Sequence, residues 1–189
     1  MAAPADKTIK NFSGQYSLNK SLSESIDPVL SVQGISWLLR TAIGAASITL
    51  DVNQYEAPPN PPNTSTDIFT HVDIEQTAAG LKSTHERRTL DSEYREHSDW
   101  LFGTVKGYSA FVALEEIEDE HLKKGWLKEG VEGEKNLIKS YVESQDNGWI
   151  ATQIWGFQEV GGARRYCRNI LVTKGDKRAA VRLVYDYVS

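Results

Sequence analysis

Seven of the side chains between positions 71 and 99 are candidates to move protons: His71, Asp73, Glu75, His85, Glu86, His97 and Asp99. Imidazoles and carboxylates serve as general acids and bases where a fold brings them to a substrate. Strict alternation puts His71, Asp73 and Glu75 on one face of a strand, and the simplest account of such a face is contact with water. Glu86 and Arg88 also share a face and read as an ion pair, either at the surface, the simpler reading, or across a polar cavity. His97-Ser98-Asp99 is contiguous, whereas a nucleophile triad is assembled from distant parts of a fold. Cys167 is the single cysteine, and the four His (His71, His85, His97, His121) lack the paired spacing of a zinc site. No glycine pattern cradles a phosphate. No metal, nucleotide, flavin or other cofactor is expected.

The elements that must carry these groups are strands. Phe12 to Leu18 and Ala46 to Val52 alternate apolar with polar or small residues, and strands can be read at 68–77, 81–90 and 100–114. Three stronger signals close the chain: 149–160, the Gly161-Gly162 two-residue turn into 163–173, and 177–188. Pairing strands about that turn sets Val160 opposite Ala163, Phe157 opposite Tyr166 and Trp155 opposite Arg168. Gln153, Trp155, Phe157, Tyr166 and Arg168 then share one face, with Cys167 on the other. Between the first two strands, Ile26, Val29, Leu30, Gln33, Trp37, Leu38, Thr41 and Ala42 recur at helical spacing, with Pro28 in a first turn and Gly34 as a break. A helix–turn–helix is expected over 25–44.

Residues 1–11 read as a disordered tail, the Pro-rich segment 55–66 as a mobile loop, and 115–147 as an insertion holding one or two short helices. With 189 residues, one domain spanning 1–189 is expected. The fold class is all-β: a closed, antiparallel up-and-down β-barrel with a two-helix lid and a short helical insertion. Acidic residues number 26 against 21 basic ones, so no cationic surplus favours nucleic acid. No run approaches a membrane span and the opening residues lack a leader pattern, so a cytoplasmic protein is expected.

The strand Asn11-Phe-Ser-Gly-Gln-Tyr-Ser-Leu, the helical pair ending Gln33-Gly-Ile-Ser-Trp-Leu-Leu-Arg40 and the strand Ile48-Thr-Leu-Asp-Val resemble the opening of intracellular fatty-acid-binding proteins. The end is similar too, in Gln153-Ile-Trp155, an Arg-rich hairpin and a last strand closing on Val184-Tyr185-Asp-Tyr-Val. The resemblance is to the calycin superfamily, covering about 11–54 and 149–188, and extends to lipocalin-like proteins of filamentous fungi. In the fatty-acid-binding family an internal Arg, Arg, Tyr group holds a carboxylate, as a planar guanidinium can fork onto both oxygens. The resemblance implies that Arg168 and Tyr185 serve here, with Leu183 standing where the family carries Arg and Arg182 on the opposite face. Trp155, Gln153, Phe157, Tyr166 and, on the lid, Trp37 complete the expected ligand-binding set.

A barrel of eight to ten strands leaves room for one small ligand. The expected partner is a hydrophobic small molecule: a fatty acid, polyketide or terpenoid. Two functions use such a cavity, a carrier and a cofactor-independent cyclase or isomerase of secondary metabolism. The residue spacings do not decide between them.

Overall fold

Alternating side chains build ten strands in the computed structural model, which describes residues 1–129 and 133–189. In chain order they are β1 (Gly14–Leu18), β2 (Ile48–Ala57), β3 (Phe69–Ala78), β4 (Thr84–Thr89), β5 (Arg95–Asp99), β6 (Gly103–Val112), β7 (Leu137–Ser144), β8 (Ile150–Val160), β9 (Ala163–Lys174) and β10 (Lys177–Tyr187). Apart from β4 and β5, every strand pairs antiparallel with its sequence neighbours, and β1 also pairs with β10, so the meander rolls up on itself. The ladder stops between β4 and β5, leaving the barrel nearly closed rather than closed. A side chain spans that seam: Arg88 Nη1 donates to Ser109 Oγ on β6 at 3.2 Å.

Helices α1 (Asp27–Val32) and α2 (Trp37–Ala45) form the pair expected over 25–44, with α2 running one residue further. α1 buries Val29 and Leu30, whereas α2 buries no residue. The barrel interior holds the main core, with Tyr16, Leu50, Ile74, Trp149, Trp155 and Tyr166 among its members. A second apolar layer lies on the outer face of β8–β10, where Ile117, Leu122 and Trp126 cover Ile154, Cys167 and Val184. The covering segment contains a 3₁₀ turn, Leu114–Glu116, and the one-turn helix α3 (Glu120–Lys123).

Four expectations are corrected. Within 115–147, residues 137–144 form strand β7, and positions 130–132 of that segment lie outside the described residues. Leu137 packs outward against Trp126's layer and Ile138 inward, so a strand buried on both faces mimics a helical apolar pattern. The charged residues 91–99, which the sequence reading leaves between the strands at 81–90 and 100–114, contain β5, a short edge strand whose charges block edge pairing. β2 runs on through Ala57, and the Pro-rich loop after it is tied down: Arg95 donates to the Asn60 and Pro61 carbonyls at 2.6 and 3.0 Å, and Asn63 to Asp91 at 2.9 Å. Residues 1–11 are ordered. Ala3 and Ile9 are buried, Ala3 N donates to Arg164 O at 2.8 Å, and Arg164 donates to the carbonyls of Pro4 and Lys7.

Candidate functional site: a cavity with one charged wall

The barrel encloses a cavity of about 760 Å³. One part of its lining is apolar, drawn from the lid (Ile26, Val29, Leu30), from Trp149 just before β8 and from β9 (Ile170, Val172). Opposite in character is a cluster on β4 and β9, built by alternation: Glu86 and Arg88 point inward from β4, and Arg168 from β9. Glu86 Oε2 accepts from Arg88 at 3.0 Å (Nε) and 2.8 Å (Nη2), while its Oε1 accepts from Arg168 Nη1 at 3.2 Å. Arg168 Nε donates to Tyr166 Oη at 3.0 Å. Two guanidiniums against one carboxylate leave the cluster one net positive charge.

The indole of Trp155 is the platform beneath it. The guanidinium carbons of Arg168 and Arg88 lie 4.2 and 5.2 Å from its ring centroid, the geometry of cation–π attraction. Burial would push the Glu86 carboxyl up, yet the charges of Arg168 and then Arg88 outweigh it and hold the carboxyl down near 2. Arg168 stays a cation: burial opposes its charge, and the Tyr166 and Glu86 oxygens overcome that. Burial likewise pushes the phenols of Tyr166 and Tyr185 upward, keeping both neutral donors.

Strands β8 and β9 pair in the register read from the Gly-Gly turn, with Trp155 opposite Arg168 and Phe157 opposite Tyr166. Arg168, Tyr185 and Gln153 line the cavity, as does Leu183. Trp155, Phe157 and Tyr166 do not line it. Both guanidiniums over Trp155 screen its ring, Arg164 covers Phe157 at 3.7 Å, and Tyr166 sits in an aromatic cluster with Phe12, Tyr16 and Tyr185. Trp37 is a further correction: it is 70% exposed on the outer side of α2, which sends Ile43 and Gly44 to the cavity instead.

Of the proton-moving candidates, His85, Glu86, His97 and Asp99 line the cavity. His71, Asp73 and Glu75 stay outside. His71 is nevertheless buried, its Nε2 3.0 Å from Pro58 O under the Pro-rich loop and its ring stacked on Tyr55. The internal place of Glu86 and Arg88 reverses the simpler surface reading, and the signal was weak because Thr-His-Glu-Arg-Arg-Thr offers a polar residue to either side. Among the described residues no group of three or more His, Cys, Asp or Glu could hold a metal ion, and no helix is long and apolar enough to cross a membrane.

No family model matches the chain. Two curated relatives do. The probable pericyclase scpY of Mollisia scopiformis is 30% identical over 99% of this chain and 95% of its own length. The pericyclase pydY of an Acremonium species is 27% identical over 100% of this chain and 97% of its own. Among solved structures, the fluorescent protein UnaG superposes with a TM-score of 0.52 at 16% identity, covering 94% of this chain and 97% of that one. Secretory abundant heat soluble protein 4 of Ramazzottius varieornatus gives 0.53 at 8% identity over the whole of both chains. Those structural likenesses establish the fold alone, a nearly closed antiparallel β-barrel. Sequence identity along nearly the full length settles the kinship: the chain belongs to the family of the Mollisia scopiformis pericyclase.

Proposed function

We propose that this protein is a cofactor-independent pericyclase: it takes a hydrophobic, conjugated chain into the barrel and folds it for concerted ring closure. The observation that carries the reading is the cavity of about 760 Å³, with the apolar lid residues Ile26, Val29, Leu30 and Ile43 in its lining and a fixed cationic cluster among its strands. The two relatives named pericyclases supply the reaction class. A concerted closure exchanges π bonds for σ bonds within one molecule, so no group is added and none leaves.

Two effects suffice for such a step. Walls that hold the reacting carbons near attack distance convert lost conformational freedom into rate. A cationic donor aimed at a conjugated carbonyl stabilises the charge that gathers on its oxygen as the bonds reorganise, most strongly in a dry site. Arg168, backed by Glu86, Tyr166 and Trp155, is suited to that role, and Tyr185 adds a neutral donor beside it. The lining from α1, Phe102 and Trp149 would set which fold of the chain is admitted, and hence which ring forms.

A carrier would use the same binding step, and the relatives' names favour its ending in reaction. The single buried Cys167 is in keeping with a cytoplasmic setting. The test uses the acyclic compound that accumulates when the gene is deleted in its host. Purified protein should convert it to an isomer of unchanged mass and fewer conjugated double bonds, at the same rate with or without chelator. Recovery of the compound unaltered from a saturated complex would leave the carrier function in its place.

A further inference from the structure

Trp155 is fully buried, and its indole N–H donates to Gln153 Oε1 at 2.9 Å. An indole nitrogen donates and cannot accept. The Gln153 amide is therefore fixed one way round, with its oxygen on the indole and its NH2 left for the cavity that Gln153 lines. The face of the same indole fixes a second donor, the guanidinium of Arg168 at 4.2 Å. Arg168 is 3% exposed; its Nε goes to Tyr166 and its Nη1 to Glu86, while Nη2 is buried with no protein partner.

A buried charged N–H without an acceptor is costly, and the cavity is where an acceptor can enter. Arg168 lies opposite Trp155 and Gln153 opposite Ile170, so Gln153 and Arg168 are diagonal neighbours on one inner face. Side chains of their length meet across such a diagonal. The row through Gln153 continues over β7 and β6 as Ser140 and Ser109, and Ser140 Oγ is also buried without a partner. Ser109 Oγ accepts from Arg88 in this row, so the donors left toward the cavity are the Gln153 NH2 and Arg168 Nη2.

We infer that Gln153 is a specificity-determining residue, oriented by Trp155, whose NH2 acts with Arg168 Nη2 to grip two adjacent acceptor oxygens at the end of a conjugated chain. An enolised 1,3-dicarbonyl and a carboxylate both present that pair. The inference rests on cavity binding as proposed above. One oxygen meets the neutral amide and the other the cation, so the pair fixes the direction in which the chain lies.

Fluorescence titrations with three probes test it: curcumin, a conjugated 1,3-dicarbonyl; cis-parinaric acid, a conjugated carboxylic acid; and diphenylhexatriene, a conjugated hydrocarbon. Gln153→Leu should weaken an oxygenated probe about five- to tenfold, the worth of one hydrogen bond, with the hydrocarbon changed less than about twofold. Gln153→Glu, of equal size, replaces the donor by an acceptor beside Arg168 and should cost the same probe more. Trp155→Phe keeps a ring under Arg168 but frees the amide to turn, and should produce a smaller loss of the same selectivity. Whichever oxygenated probe loses most distinguishes dicarbonyl from carboxylate. Equal losses on all three probes, or no loss, would overturn the role of Gln153 while leaving cavity binding intact. Failure of the unmodified protein to take up any of them would overturn the cavity reading, and this inference with it.

Discussion

Replacing Arg168 by Leu removes the centre of the charged wall, and its contacts set the size of the effect. Lost are a hydrogen bond to Tyr166 Oη, a charged bond to Glu86 and the stack on Trp155. Bonds to charged groups are worth about 1.5–3 kcal/mol each, while orphaning a buried charge costs about 3–5 kcal/mol. Glu86 is not orphaned, because Arg88 still holds it with two bonds. The expected loss is therefore about 2–4 kcal/mol. Removing Glu86 as well, in Arg168→Leu/Glu86→Leu, should cost less than the sum of the single changes, with a coupling of at least about 1 kcal/mol. The acid limb gives a second reading. Glu86 has its folded carboxyl held near 2, below its ordinary 4.5, so its stabilisation is full above 4.5 and is lost as pH falls towards 2. Urea denaturation at pH 7, 4 and 3 should show that loss in the native protein and a weaker one in Arg168→Leu. Additive single and double changes, with identical acid limbs, would refute the coupled cluster.

Other outcomes follow from neighbouring contacts. Arg168→Ala should weaken an anionic or polar-headed ligand by about 1.5–3 kcal/mol and leave a neutral apolar probe nearly untouched, read by paired titrations. Gly156→Ala would bring a Cβ within 2.5 Å of Leu137 Cδ2 and 3.0 Å of Trp126, and should lower stability by about 1–3 kcal/mol in denaturant titrations. Burial pushes the Cys167 thiol up to about 12, so labelling by a thiol reagent at pH 8 should be slow in the folded protein and prompt after unfolding. Trp37→Ala should change stability by no more than about 0.5 kcal/mol and leave probe binding unchanged, because Trp37 faces solvent.

The sequence disclosed what local rules govern. A Gly-Gly turn sets register without reference to the rest of the fold, which is why Trp155 was placed opposite Arg168. β7 was hidden because a covering layer on its outer face removes the alternation that marks a strand, and β5 because an edge strand is charged where an interior one is apolar. The site was legible in its line of donors and not in its depth. Register puts Gln153, Trp155 and Arg168 on one face, but only the packed structure sets Arg168 between Trp155 and the cavity. Glu86 and Arg88 come from a strand far off in sequence, and that meeting is a consequence of barrel closure. Trp37 was misplaced for a related reason: α2 has an apolar residue to offer on either side, and Ile43 takes the inward place.

The central claim is that ring closure occurs inside the barrel. The direct measurement is the rate of isomerisation of the acyclic compound while diphenylhexatriene fills the cavity step by step, its occupancy read from its own fluorescence. Rate should fall in proportion to occupancy and vanish at one probe per chain. Turnover that persists with the cavity fully occupied would contradict the account.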